Sequence, residues 1–406
     1  MQALNPRTRP LVGSAAFGVF WGSWGAAVPA VQRQSDASDA NLGVALVVLA
    51  LGALVSMRAT GVLLDRIGPR LIPITVAAFG LTAVLPGLAD SPSRLALSAF
   101  VVGAASGAMD VAINADAVHE EDASGRPLLN LAHATFSAAV VCSSLATGAL
   151  RWAGASPLTV FSVAGAIVVA AALIMRRAPE RPSRRTPAGE PPRLLQRVPG
   201  WLLMLGGLGA VAYWIENAWQ SWGAVHLERT LDAAPAASAL GPALFAAAMA
   251  AGRITVHRLA RPGSERSVLT VGALVAGGGS ALAAVAPSVP IAIAGIVVAG
   301  AGCSVCAPTI LSLVGRAARS AERATAVGSA TTVMYLGFIA GPAVVGGVAE
   351  ATTLRISLGG VAILAVLLGV TFLVVRYPTP AIGASSTAAS TPSSPGSRHP
   401  RKFNPR

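Results

Sequence analysis

The chain has 406 residues, 54% hydrophobic and only 12% charged, with a mean hydropathy of +0.65. Soluble domains carry about a quarter of their residues charged, so this composition excludes an ordinary soluble enzyme or binding module and points to a membrane protein. The net charge of +13 does not signal nucleic-acid binding, because the basic residues lie between apolar runs and not on one face of a soluble fold.

Apolar runs of spanning length occur at 11–31, 42–64, 71–89, 94–117, 129–152 and 155–175, and resume at 199–224, 236–260, 267–286, 289–314, 325–349 and 354–375. Each is close to the ~20 residues that cross ~30 Å of hydrocarbon as a helix. In lipid, helices alone satisfy every backbone polar group within one segment. The expectation is an all-α membrane protein of twelve transmembrane helices. The first run is long enough to remain in the membrane as a span, so no cleaved signal peptide is expected.

With an N-terminus in the cytoplasm, only Arg33, Arg94, Arg151, Arg229 and Arg355 fall outside, and the other 25 of the 30 basic residues lie in cytoplasmic segments. This positive-inside bias predicts a multi-pass membrane protein with both termini in the cytoplasm. The bias alternates correctly only if there are twelve spans. Residues 1–175 and 199–376 then form two six-helix halves. Residues 176–198, rich in Arg and Pro, read as a basic cytoplasmic linker, and 377–406 as a disordered tail. Trp21-Gly-Ser-Trp-Gly-Ala26 in span 1 is echoed by Trp219-Gln-Ser-Trp-Gly-Ala224 in span 7, as expected of two parallel repeats.

Between spans 2 and 3 lies Gly61-Val-Leu-Leu-Asp65-Arg66-Ile-Gly68-Pro69-Arg70. Gly61 suits a close helix contact, and Asp65 suits the positive end of a neighbouring helix. This segment resembles the cytoplasmic loop motif of the major facilitator superfamily, in sequence and in its place after span 2. The resemblance implies the major facilitator fold and a gating role for Gly61, Asp65, Arg66, Gly68 and Arg70, which would latch the cytoplasmic side shut when the carrier opens outward. The second-half counterpart, Gly252-Arg253-Ile-Thr-Val-His257-Arg258, has no acid beside His257, so the Asp65 side is expected to matter more.

A narrower resemblance, to bacterial inner-membrane carriers related to the fucose–proton symporter, rests on Asp110-Val-Ala-Ile-Asn114 in span 4, His133 in span 5, and Glu216-Asn-Ala with Trp222 in span 7. The chain differs from that group at Asn217, usually glycine, and at Ser221, often an acid. In the superfamily, spans 1, 4, 7 and 10 line a central cavity, which implies that Asp110 and Glu216 sit beside the substrate path.

An ionised acid at the bilayer centre costs about 2.5–3.5 kcal/mol even on insertion scales, so intramembrane acids face a cavity or a partner. Glu216 lies about 25 Å into span 7 by helical rise, crowded in sequence by Tyr213, Trp214, Trp219 and Trp222. Asp110 and Asn114 share a helical face, and His133 begins span 5 near the depth of Asn114 and Asp116. Glu216, Asp110 and His133 are therefore the proton-coupling candidates. The competing reading is a fixed inter-helix hydrogen bond or a capped helix end, and Asp116 is the weakest of these positions.

Trp21, Trp24, Asn114, Tyr213, Asn217, Gln220 and Thr309 are the substrate-cavity candidates, with Phe20, Ser304 and Cys306 as neighbours. Aromatic rings there suit a stacked ligand, although an interfacial belt is the better reading for Trp222. Pro308 should bend span 10, and Gly103-x-x-x-Gly107 and Gly337-x-x-x-Gly341 should pack helices closely. Cys303 and Cys306 have redox spacing but lie in an apolar helix and read as packing residues.

No phosphate-cradling loop or metal-ligand spacing is present, so neither cofactor nor metal is expected, and an ATP-driven pump is excluded. Together the readings predict a non-enzymatic secondary carrier, a monomer in the lipid bilayer whose partners are a small solute and protons. Uptake of a sugar-like or other small polar compound is the first expectation. Proton-antiport efflux of amphipathic compounds is the second, and a receptor that keeps the fold without moving solute is the third.

Overall fold

The architecture is that of a computed structural model, which describes residues 6–125, 128–176, 199–259, 261, 263–319 and 322–375. The proposed tail and all of the linker except Arg176 lie outside the described residues. Among the described residues there are helices and no strands, as a chain whose backbone must be satisfied in lipid requires.

The first half consists of α1 (Thr8–Gln34), α2 (Asp39–Ile67), α3 (Leu71–Thr82), α4 (Pro92–Ser124), α5 (Leu129–Trp152) and α6 (Pro157–Met175). The second comprises α7 (Gly200–Val225), the short α8 (Pro235–Ser238) leading into α9 (Leu240–Leu259), α10 (Glu265–Val285), α11 (Val289–Cys303) continued by α12 (Cys306–Ala317), α13 (Arg323–Ala351) and α14 (Leu354–Val374). The chain therefore crosses the bundle twelve times, in up-and-down order. The near end of the bundle carries the start of α1, and the far end carries its finish.

Ten stretches are long and apolar enough to count as membrane-crossing by length and composition. One of these, Asp39–Leu88, contains two crossings, separated at Gly68, whose φ of +77° ends α2. The remaining crossing is α7, whose Glu, Asn, Gln and Ser residues lower its hydropathy because one face lines a cavity.

Four of the six crossings that begin at the far end carry a side-chain cap. Ser38, Ser91, Ser156 and Thr353 accept hydrogen bonds from the backbone N–H three residues on, and proline opens α4 and α6. Side-chain caps supply acceptors for orphan donors, and proline has no N–H to orphan.

The internal repeat is visible in the packing. Crossings 1 and 5 pack together, as do 7 and 11; crossings 2 and 4 are matched by 8 and 10, and 3 and 6 by 9 and 12. The halves meet along α2 with α13 and α5 with α9, a pseudo-symmetric pair of seams.

Glycines set the closest approaches. A Cβ on Gly103 would lie 2.0 Å from the Leu49 carbonyl oxygen, and one on Gly337 would lie 1.8 Å from that of Ala210. Each expected glycine pair thus packs one helix on another within its own half, α4 on α2 and α13 on α7.

The core of the first half is aromatic. Phe20 meets Phe79 with centroids 4.8 Å apart and Phe161 at 5.9 Å, and Trp24 meets Phe161 at 6.1 Å. In the second half Trp219 is fully buried and its Nε1 donates to Ser280 Oγ at 2.7 Å. Trp222 is also fully buried, which corrects the expectation of an interfacial belt. The Trp-x-Ser-Trp-Gly-Ala echo occupies equivalent helices, yet Trp21 lines the central cavity while Trp219 packs away from it.

Candidate functional site

A cavity of about 400 Å³ lies between the halves. It takes its walls from α1, α2, α4 and α5 on one side and from α7, α9 and α13 on the other. Helical periodicity decides which residues of α7 reach it. Tyr213, Glu216, Asn217, Gln220 and Ser221 line the cavity, whereas Ile215, Ala218, Trp219 and Trp222 form the buried opposite face. Of the four rings that crowd Glu216 in sequence, only Tyr213 shares its cavity. Trp214 instead packs against Gly341, where an added Cβ would lie 2.8 Å from the indole. The further aromatic company of Glu216 comes from α13, as Tyr335 and Phe338 stand with Tyr213 in an edge-to-face cluster, centroids 5.8–6.3 Å apart.

The structure brings Glu216, Asp110 and His133 to this one cavity, together with Trp21, Trp24, Tyr213, Asn217 and Gln220. Asn114 and Thr309 are not among its lining residues. Asn114 stands behind Asp110, donating from Nδ2 to its carboxylate at 2.9 Å and to its carbonyl at 3.0 Å. Glu216 accepts from Gln220 Nε2 at 2.9 Å, and Ser221 donates to Asn217 at 2.7 Å. Each carboxylate thus holds an amide partner one helical turn away and keeps acceptor capacity towards the cavity.

Asp116 is different. Arg9 Nε donates to it at 2.8 Å, and Arg9 Nη2 makes a second, charge-assisted contact. Both side chains are buried, so the pair ties α1 to α4 inside the first half. A buried acid held by an arginine fork is neutralised in place, which removes Asp116 from the proton candidates and Arg9 from the solvated loop charges.

Sequence reasoning missed Arg253. The apolar run hid a lining stripe on α9, Pro242, Phe245, Ala246, Met249 and Arg253, at helical spacing. Gly252 and Arg253 lie within α9, the cavity-lining helix, which runs to Leu259. Pro308 explains how the arginine is held. Having no N–H, it leaves the Ser304 carbonyl without its i+4 donor, and the crossing breaks between Cys303 and Cys306. Arg253 Nε donates a long 3.4 Å bond to that carbonyl. Cys303 and Cys306 are buried free thiols, in keeping with packing.

The far end is closed. Glu228 accepts from Arg151 Nη2 through both carboxylate oxygens, at 2.8 and 2.9 Å, from Arg33 at 2.5 Å and from Ser238 at 2.9 Å. Asp39 pairs with Arg229 and accepts from Gln32 at 2.8 Å. Glu350 accepts the Asp39 N–H at 3.0 Å at the start of α2, where helix donors lack partners. Each of these three acids takes a partner from the opposite half. Beneath them the halves touch at Gly25 with Pro242 and at Gly43 with Pro342. The cavity lining runs instead towards the near end, to Leu54, Met57, His133 and Arg253, the last two exposed.

The loop motif at the near end is disengaged. Asp65 and Arg66 are exposed, and a Cβ on Gly61 would meet nothing within 4 Å. The close contact expected of Gly61 is therefore not made in this conformation.

Two six-helix halves around a central cavity, closed at one end, define a membrane carrier fold. The Major Facilitator Superfamily model matches residues 11–266 and 223–404, and the chain belongs to that family. It is 31% identical over 348 residues to an MFS-type transporter of Yersinia pestis of uncharacterised function, covering 86% of this chain and 90% of the relative. It is 26% identical over 358 residues to the membrane protein MosC of Rhizobium meliloti, covering 86% of each. In fold it matches the nucleoside transporter NupG, with a TM-score of 0.77 at 14% identity over 91% of this chain and 98% of that one. It also matches the D-xylose–proton symporter, with a TM-score of 0.70 at 13% identity over 90% and 96%. The protein is a multi-pass membrane transporter.

Proposed function

We propose that this transporter couples solute uptake to proton entry by alternating access, with Glu216 and Asp110 as the proton-carrying groups and His133 as their neighbour at the cavity mouth. One observation carries the reading: three titratable side chains from three different helices, in both halves, line a single cavity. Protonation would cancel charge in a low-dielectric chamber and lower the cost of closing the halves over it. The positive-inside bias assigns the near end to the cytoplasm. The described conformation is then the inward-facing one, in which a solute carried from outside is released. The solute class is a small polar compound with a ring-shaped body, suited to the aromatic walls. The nucleoside transporter NupG and the D-xylose–proton symporter are named for solutes of that kind.

Proton-antiport efflux of amphipathic compounds is the second reading, favoured by the Phe17, Trp21, Phe136 and Met249 lining. Flux in proteoliposomes with an imposed pH gradient separates the two. Uptake along the proton gradient is expected, and in Glu216→Gln uptake should persist only as gradient-independent exchange. Extrusion against the gradient would establish antiport, and ligand binding without flux would make the protein a receptor. Gradient-driven uptake that survives both Glu216→Gln and Asp110→Asn would remove the acids from the mechanism.

A further inference from the structure

We infer that Arg253 is an anchor for an oxoanion, so that the transported solute carries a carboxylate or phosphate on a flat ring. Three charged residues, Asp110, Glu216 and Arg253, line the same cavity, yet no ion pair joins them among the described residues. Each is instead held from behind by a neutral group: Asn114 behind Asp110, Gln220 beside Glu216, and the Ser304 carbonyl behind Arg253. For Arg253 this hold uses Nε alone. The two terminal amino groups of the guanidinium stay available, and these present the parallel donors that match a carboxylate or phosphate.

The placement argues against a simple counter-ion. Arg253 lies within electrostatic range of Glu216, His133 and Tyr213, but Glu216 takes its hydrogen bond from Gln220. Arg253 is exposed at the cavity mouth and, among the described residues, no carboxylate bonds its terminal amino groups, so these donors are open to an anion in the chamber. The walls on either side suit a flat body. Phe17, Trp21 and Phe136 stand on the first half, and Tyr213, Tyr335 and Phe338 on the second, so a ring between them would be stacked while its anionic group reaches Arg253. An anion moving with a proton also fits two carboxyl groups in the same chamber, since the proton offsets the charge brought in.

This inference deepens the transport proposal and rests on the same cavity, but its test needs no flux. The purified protein is titrated with naphthoate and naphthyl phosphate, and with the neutral naphthamide and uridine. Binding is followed by tryptophan fluorescence and thermal stabilisation. Wild type is expected to bind at least one anion and to bind naphthamide at least about tenfold more weakly, the loss expected when one charge-assisted pair is absent. Arg253→Gln should lose that preference. Arg253→Lys, which keeps the charge but not the fork, should retain part of it. The unliganded melting temperature of each variant reports whether it is folded, and Arg253→Lys carries the test if Arg253→Gln is not.

Equal binding of naphthoate and naphthamide would overturn the inference. So would silence of wild type towards both anions, or undiminished anion binding in Arg253→Gln. Anion binding without proton-driven flux would refute the transport proposal and leave the anchor standing. Proton-driven uptake of uridine with no anion preference would do the reverse.

Discussion

The two ends of this bundle are built on opposite electrostatic plans. At the near end the arginines are many and mostly solvated, and Asp65 and Arg66 of the loop motif project without a partner in the other half among the described residues. At the far end the basic residues are few and each is engaged. Arg33 and Arg151 meet Glu228, Arg229 meets Asp39, Arg94 meets Asp90, and Arg355 donates to the Ala286 carbonyl at 2.9 Å. These pairs are not equivalent. The side chains of Arg94 and Asp90 are 65% and 61% exposed, whereas those of Arg151 and Glu228 are 3% and 8% exposed. An exposed pair contributes about 0–1 kcal/mol, while breaking a buried one by removing a single partner costs about 3–5 kcal/mol. Closure of the far end is thus held by a few desolvated charges that cross between the halves. Opening at that end must therefore rehydrate them.

Removing the central acid of that network should have the largest effect. Glu228→Gln leaves Arg151 buried with only the Ala26 carbonyl, at 2.6 Å, and a neutral amide. At about 3–5 kcal/mol, the loss exceeds the few kcal/mol that separate two conformations of a carrier. The expected outcome is a population shifted to a state open at the far end. A cysteine introduced at the far mouth of the cavity should then be labelled by an impermeant reagent much faster than in wild type. Labelling at the wild-type rate would show that Glu228 does not hold the far end shut.

A steric wedge should come next. A Cβ on Gly346 would lie 2.4 Å from the Asp39 carbonyl oxygen, closer than real contacts allow, so Gly346→Leu must push α13 away from α2. Overpacking of this kind costs about 1–3 kcal/mol, roughly a fivefold to 150-fold shift in the conformational equilibrium. Far-end labelling should rise and transport fall, while the change should spare Gly103 and Gly337, whose contacts stay within one half. A Gly346→Leu protein with unaltered flux would mean that the α2–α13 seam is not remade in each cycle.

The near-end motif and the twelve crossings were legible because they are local. An apolar run of fixed length, a loop with a recognisable order and a charge bias need no knowledge of what packs on what. The cavity was half legible for the same reason: Glu216 and Asp110 are conspicuous as acids in apolar runs. Arg253 was not, because a basic residue near the cytoplasmic end of a span reads as part of the positive-inside bias, and which face of α9 it takes is set by packing. Trp219 and Trp222 misled in the opposite sense, since proximity in sequence to Glu216 says nothing about which face of the helix they share. The far-end network was invisible because its partners lie 77, 190, 195 and 311 residues apart. Only the fact that five arginines broke the charge bias marked them, and the structure supplies the reason each of them has a carboxylate or carbonyl acceptor.

The smallest effect on this conformation belongs to the near end. Asp65 is exposed and makes no hydrogen bond or ion pair among the described residues, so Asp65→Asn should change the stability of this state by no more than about 0.5 kcal/mol. Far-end labelling in the resting protein should stay close to wild type. Transport should nevertheless fall if, as the loop resemblance implies, this segment latches the near end in the opposite state, where the halves would meet around it. His257→Ala, at the second-half position that lacks an acid, should leave both labelling and flux near wild type. Flux and a thermal melt on the same two variants decide the matter. If Asp65→Asn transports normally while His257→Ala does not, the near-end latch lies on α9 and not on the loop after α2.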